Sequence, residues 1–211
     1  MTIVLTKTEK SARKAKGDGH LRRAEILRAA ERIFVAQGYE GATIRKIADE
    51  VGVSSTALYM HFQDKDQILL EICDRAMREL MAMNVAISTR PGDPVSRVRA
   101  MLEGYMGFAL ENPNAYRLIF CAASIEHSPR RQMATMQLGA QCFERLSGVV
   151  GEIAAQGRLR SGDARTAAQT LWAACHGLIS LRIAKPGFEW APAEAMMNVL
   201  LDGMLFGLVV D

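Results

Sequence analysis

The sequence predicts an all-α protein that opens with a helix-turn-helix unit and continues into a larger helical unit. Three observations predict it. Apolar residues recur at helical spacing, as in Ile44, Ile47, Ala48 and Val51. No stretch alternates apolar and polar residues, and no hairpin signal occurs. Of 211 residues only 6 are proline and 12 are methionine, and Ala, Leu and Arg are plentiful, a composition that favours helix.

Each element has its own signal. Residues 1–19 carry Lys7, Lys10, Arg13, Lys14 and Lys16 against Glu9 and Asp18, without an apolar period, and read as a disordered basic arm. From His20, the residues Ile26, Leu27, Ala30, Ile33 and Phe34 form a helical stripe that Gly38 stops. Thr43 opens a second helix, and Gly52 is placed to end it. Ser54 caps a third, very short helix reaching about Phe62. Asp64 caps a fourth, Gln67 completes a capping-box pattern, and Ile68, Leu69, Ile72, Ala76 and Leu80 continue its stripe to about residue 89. Pro91-Gly92-Asp93-Pro94 is a break, and a helix then runs to about Glu111. Asn112-Pro113 opens a short helix through Leu118 and Phe120 that ends near His127-Ser128-Pro129. A long helix is stopped by Gly157. Asp163 starts another that reaches Lys185, Pro186-Gly187 ends it, and the last begins near Pro192. The expected division is an arm at 1–19, a helix-turn-helix unit at 20–66 and a second unit at 67–211, with a connecting helix at about 64–89.

Composition excludes several classes. Apolar residues are 49% and charged residues 23%, ordinary for a globular chain and unlike collagen or a disordered polymer. The net charge of +3 is concentrated: residues 1–66 hold 12 basic and 9 acidic side chains, whereas residues 67–211 hold 14 of each. The excess positive charge points to a polyanion partner at the N-terminal end. Cys73, Cys121, Cys142 and Cys175 are scattered, so neither a zinc site nor a disulfide framework fits, and a reducing compartment is expected. Met1-Thr2-Ile3-Val4-Leu5 lacks the form of a signal peptide. The longest uncharged stretch, between Arg165 and Arg182, contains Thr, Gln, His and Ser and does not read as a membrane span. A cytoplasmic protein is expected. Hydrolase elbow, phosphate loop, dinucleotide fingerprint and zinc-protease motifs are all missing, so no enzyme, cofactor or metal is expected.

The informative segment is Gly38 to Lys65. Two short helices are joined by the tight turn Gly52-Val53. Leu58 and Phe62, at i and i+4, face inward beside Ala57, while Ser55, Thr56, Tyr59 and Met60 point outward. A short helix that opens with small polar residues and is backed by a packed partner is a helix-turn-helix pattern. Ser and Thr are small enough to bring its first turn to base edges in a major groove.

The segment resembles the DNA-binding domain of TetR/AcrR-family repressors. The matching residues are Gly38-Tyr39, Thr43-Ile44-Arg45-Lys46-Ile47-Ala48, Val51-Gly52-Val53-Ser54, Leu58-Tyr59-Met60-His61-Phe62 and Lys65, in a stretch of roughly residues 20–70. The resemblance implies about nine helices, a homodimer on double-stranded DNA, and a C-terminal domain that binds a small molecule and releases the DNA. It places Thr43 near phosphate, makes Arg45 a DNA contact, and has Ser54, Ser55 and Thr56 open the recognition helix. Tyr59 and Lys65 are then phosphate contacts. His61 is either a DNA contact or a residue packed between helices. Met60 lies at a variable position.

In the second unit, Asn112-Pro113-Asn114-Ala115-Tyr116-Arg117-Leu118-Ile119-Phe120 and Trp172-Ala173-Ala174-Cys175-His176-Gly177 resemble a subgroup with a Trp-x-x-x-His-Gly signature. Ten of the 12 methionines lie beyond residue 76, which suits either an adaptable apolar pocket or ordinary packing. The expected pocket lies among Tyr105, Phe108, Tyr116, Phe120, Met133, Met136, Gln137 and Trp172, with His176 as polar anchor or as structure, and an apolar or amphipathic ligand. The final helix is apolar nearly all round: Met197, Leu200, Leu201, Met204, Leu205 and Leu208 follow one helical face, while Met196, Val199, Phe206 and Val209 fill much of the other. With the small residues Ala173, Gly177 and Ser180 of the preceding helix, the first set is expected to form a two-fold interface. The competing functions are a helical sensor or carrier without DNA binding, and an architectural helix-turn-helix protein without an inducer.

Overall fold

In a computed structural model of the chain, the described residues are 19–121, 129–160 and 162–210, with side chains at 121 and 129–136 excluded. The basic arm and the predicted end near His127-Ser128-Pro129 lie outside them. Among the described residues there are nine α-helices, and the molecule divides between Leu69 and Leu70 into two compact units.

The first unit is built by α1 (Gly19–Gly41), α2 (Ile44–Val51), α3 (Ser55–Tyr59) and the first turn of α4 (Lys65–Ser88). Gly38 does not end α1 outright. Its φ of 71° breaks the helical path, and one more turn follows to Gly41. Thr43 caps α2 as its sequence suggests, its Oγ1 accepting from Lys46 N at 3.2 Å. At the other end Gly52 takes the left-handed conformation (φ 73°), and Val53 N reaches back to Ala48 O at 2.9 Å. This closure satisfies carbonyls that the helix leaves unpaired. Ser54 Oγ accepts from Ala57 N at 3.1 Å and starts α3. The helix ends at Tyr59 rather than Phe62, although Phe62 N still reaches the Leu58 carbonyl at 3.1 Å. Leu58 and Phe62 are fully buried with Ile26, Ala30, Phe34, Ile47 and Ile68. A five-residue helix has no stability of its own, so this burial holds it in place. The capping box of α4 is shifted by one residue: Asp64 accepts from Gln67 N, and the Gln67 side chain accepts from Gln63 N, both at 2.7 Å.

The second unit comprises the remainder of α4, then α5 (Pro94–Glu111), α6 (Pro113–Tyr116), α7 (Pro129–Ala155), α8 (Ala164–Ala184) and α9 (Ala193–Leu208). A π-helical turn, Arg117–Cys121, extends α6. Asp93 and Asp163 cap α5 and α8 through their carboxylates. α5, α7 and α8 pack on one another, and α9 lies on α8 and α5. Their core contains Val98, Met101, Leu102, Met106, Tyr116, Ile153, Leu171, Cys175, Ile179 and Leu201. Arg97 ties three elements, donating to the Ser88 carbonyl at 2.8 Å and forking onto Glu152. One feature has no sequence signal: a single antiparallel bridge joins Leu159 to Val209 and draws the chain end beside the α7–α8 connection. Among the described residues no helix is long and apolar enough to cross a membrane.

Candidate nucleic-acid interface and ligand site

α3 presents two unlike faces. Leu58 is buried, whereas Thr56, Tyr59 (55% exposed) and Met60 (83% exposed) face outward and Ser55 is half-buried. The turn after α3 is pinned from α1: Arg23 donates to the His61 carbonyl and lies 4.1 Å over the Phe62 ring. A concavity of about 400 Å³ beside α3 gathers Thr43, Arg45, Ser55, Tyr59 and Lys65, with Glu40 at its edge. Arg45 is almost fully exposed, and its pair with Asp49 is loose at 3.9 Å, so its guanidinium is available to a phosphate. Ser54 spends its acceptor on the cap of α3. His61 is half-buried and lies outside the concavity, as does Thr56.

Lys65 lines the same concavity and also makes contacts within the chain. Its ammonium does not stand open to solvent. It donates to the Tyr39 carbonyl at 2.9 Å and lies 4.0 Å from the centre of the Tyr39 ring. Lys46 is similarly engaged, with Gln37 Oε1 and the Gly41 carbonyl each at 2.7 Å. Sequence spacing carried no sign of this, because apart from Gln37 Oε1 the acceptors are backbone carbonyls.

In the second unit, five of the expected pocket residues converge. Tyr105 (α5), Tyr116 (α6), Phe120 (π-turn), Trp172 and His176 (α8) form one aromatic cluster, with Tyr116–Phe120 centroids 4.9 Å apart and Trp172–His176 5.8 Å apart. Phe143 of α7 extends it, 6.2 Å from Trp172. It escaped the sequence reading because an aromatic on a long amphipathic helix looks like ordinary core. The Tyr116 and Tyr105 hydroxyls lie 2.6 and 3.0 Å from His176 Nδ1. A phenol is a stronger acid than a neutral imidazole N–H, and imidazole nitrogen is the better acceptor. On this ground Nδ1 is assigned as the acceptor, which puts the proton on Nε2. Burial lowers the His176 pKa and favours this neutral form.

Phe108 and Gln137 do not join the cluster among the described residues. Phe108 is buried, without a ring contact to these aromatics among the described residues. Gln137 is exposed, so it faces away from an interior pocket. The side chains of Met133 and Met136 lie outside the described residues. Asn84 was missed altogether. It is the one buried polar residue among those described, on the apolar stripe of α4, and its Oδ1 has no partner. Burial pushes the Cys175 thiol up to about 12 and raises that of Cys142, so neither is a thiolate nucleophile near neutral pH.

The expected two-fold face needs correction. Leu201 is 0% and Leu205 8% exposed within the single chain, so both close its own core. Met197, Leu200, Met204 and Leu208 are half-buried at the margin. The large apolar residues that α9 exposes are Val199 (76% exposed) and Phe206 (80% exposed). On α8, Ala173 is exposed, and Gly177 and Ser180 are half-buried. A Cβ added at Gly177, Gly203 or Gly207 would meet nothing within 4 Å. Beside them, Leu178, Ala195, Met196, Val199 and Leu200 line an apolar concavity of about 340 Å³.

Known proteins share both units. Residues 26–72 match the model of the tetR family of bacterial regulatory proteins, and residues 98–204 match the tetracyclin repressor-like C-terminal domain. The nucleoid occlusion factor SlmA of Photorhabdus laumondii is 30% identical over 179 residues, covering 82% of this chain and 87% of that protein. The transcriptional activator FasR of Mycolicibacterium smegmatis is 37% identical over 100 residues, which are 47% of this chain and only 45% of FasR. The TetR-family regulator PfmR of Thermus thermophilus superimposes with a TM-score of 0.76 at 26% identity, covering 86% of this chain and 97% of PfmR. A capped α2, a glycine turn and a buried-backed α3 thus belong to a known design, and the chain is a member of the TetR family of DNA-binding transcriptional regulators.

Proposed function

We propose that the protein is a repressor that binds a pseudo-palindromic operator as a homodimer and releases it when an apolar or amphipathic small molecule binds the second unit. The observation that carries the DNA reading is the outward face of α3. Ser55 and Thr56 stand at its first turn for base edges, while Thr43, Arg45 and Tyr59 surround the adjoining concavity and position phosphates. Ser54 caps the recognition helix. Lys65 lines the same concavity as a further phosphate contact, and His61 acts through the fold that holds α3.

The ligand reading rests on the cluster around His176. Tyr105, Tyr116, Phe120 and Trp172 supply aromatic surface. His176 Nε2–H has no protein partner among the described residues and supplies a donor. Asn84 Oδ1 is a further unpaired polar atom within this unit. A ligand with an apolar body and an acceptor group fits this chemistry. It acts as an inducer only if it binds the DNA-free conformation better than the DNA-bound one, with α4 as the element shared by both units. The fluorescence of Trp172 in a Trp190→Phe protein reads binding beside His176, and a band shift with the same compound reads release. A compound that binds tightly and leaves operator affinity unchanged defeats the inducer reading.

A second reading has its own support. The SlmA match spans far more of the chain than the FasR match. SlmA is named for nucleoid occlusion, so an architectural role at many dispersed sites is the competing proposal. FasR is named an activator, which leaves the sign of regulation to experiment. Chromatin mapping separates the first two: one or a few promoters for a ligand-controlled regulator, dozens of dispersed sites for an architectural protein.

A further inference from the structure

α4 carries a residue that its pattern does not call for. Its buried stripe runs through Ile72, Ala76, Met77, Leu80 and Ile87, and Asn84 stands within it at 7% exposure. The Asn84 side chain is hydrogen-bonded to the Cys142 thiol of α7, while its Oδ1 has no partner among the described residues. A buried carbonyl without a donor costs stability, and leucine, of similar size, would fill the same space without that cost. Such an atom calls for a physical reason.

Its surroundings supply one. Met83, beside Asn84, is packed so tightly on α5 that a Cβ at Gly104 would lie 2.7 Å from its sulfur. The next residue of α5, Tyr105, reaches His176 of α8. On α7, Cys142 meets Asn84, and the next residue, Phe143, meets Trp172 of α8. Successive helix residues point about 100° apart, so α5 and α7 each turn one residue to α4 and the next to α8. Asn84 and the His176 cluster thus lie at one level of the second unit, joined by the same two helices. At that level the aromatic rings supply apolar surface, His176 Nε2–H is a donor and Asn84 Oδ1 is an acceptor.

We propose that Asn84 is a specificity-determining residue of the ligand site, and that the ligand is a neutral hydroxylated hydrophobe whose O–H donates to Asn84 Oδ1. This rests on the ligand reading above and adds to it the polar group that the ligand must carry. A carboxylate has no proton to give and is repelled by the carbonyl oxygen. An ether accepts from His176 but leaves Oδ1 unpaired. Only a group with a donor of its own completes the Asn84 amide.

Three probes with alkyl bodies of similar size test this: 1-decanol, its isomer 1-methoxynonane, and decanoate. Binding is read by Trp172 fluorescence in the full-length Trp190→Phe protein, with and without Asn84→Leu. The expected result is that Asn84→Leu reduces the affinity of decanol relative to methoxynonane roughly tenfold, the worth of one hydrogen bond to a buried acceptor. Comparing the two proteins cancels the different hydration of the two probes. Decanoate should bind the protein with Asn84 more weakly than decanol. An unchanged ratio, or decanoate bound as tightly as decanol, overturns the proposal and leaves the ligand reading intact. Emission that none of the three alters overturns both. A second measurement needs no ligand. Asn84→Leu should raise the thermal midpoint by roughly 2–8 °C, since it removes the unpaired carbonyl. An unchanged or lowered midpoint shows that Oδ1 is already paired in the ligand-free protein, by a buried water, and overturns the proposal.

Discussion

His176 shows how one side chain links stability to pH. Burial lowers its pKa from the ordinary 6.5, so the folded state binds fewer protons than the unfolded state just below that value. Its neutral form is therefore fully compatible with folding above pH 6.5. Stability is lost as pH falls from about 6.5 toward the lower folded value, and the loss levels off below it. The thermal midpoint should drop between pH 7.5 and 5, and His176→Gln should flatten that drop. An equal drop in both proteins would show that His176 is not the group responsible. On the DNA face, Tyr59→Phe should weaken binding to all duplexes alike, since a phosphate contact positions without specifying. Changes at Thr56 should instead redistribute base preference by about 1–3 kcal/mol at one position. A Thr56→Ala protein that selects the same operator would remove it from base readout. Residue types with a fixed chemical role were legible in the sequence: Thr43, Ser54 and Gly52 announce caps. The roles of Lys46 and Lys65 were not, since which acceptor a lysine meets depends on backbone brought near by folding.

At the scale of elements, caps and stripes set the helix boundaries, and the sequence carries both. Gly52 is placed where α2 must turn left-handed, and its φ of 73° admits few other residues. Gly52→Ala should destabilise the first unit by about 1 kcal/mol, read by chemical denaturation. Leu58→Ala should cost about 2–5 kcal/mol and abolish operator binding while removing no surface group. Retained DNA affinity in a folded Leu58→Ala protein would show that α3 does not depend on this anchor. The elements that escaped reading lack a local code. The π-helical turn at Arg117–Cys121 follows α6 without a composition signal of its own. The Leu159–Val209 bridge joins residues 50 apart in sequence, so no window of neighbouring residues could reveal it.

For the whole molecule, a palindromic operator requires two recognition helices roughly 34 Å apart along one face of DNA, which a two-fold dimer supplies. The last helix is apolar nearly all round, but its two sides do different work. Leu201 and Leu205 are buried in the single chain, while Val199 stands exposed at an apolar concavity and Phe206 stands exposed two turns further along α9. Large exposed apolar residues in such a cluster mark an association surface. Val199→Glu with Phe206→Glu should therefore give a folded monomer that no longer binds the operator. Leu201→Glu should unfold the chain, since it places an unpaired charge in the core. Gly177 separates the two kinds of packing further. A Cβ there meets nothing within 4 Å in one chain, so Gly177→Ala should raise the single chain's helix stability by about 1 kcal/mol. If backbones of α8 approach closely across the two-fold axis, the same methyl should weaken dimerisation. Sedimentation velocity at micromolar concentration, with circular dichroism to follow folding, reads all three proteins. A wild-type monomer, or a Val199→Glu/Phe206→Glu protein that still sediments as a dimer, would move the interface away from α8 and α9.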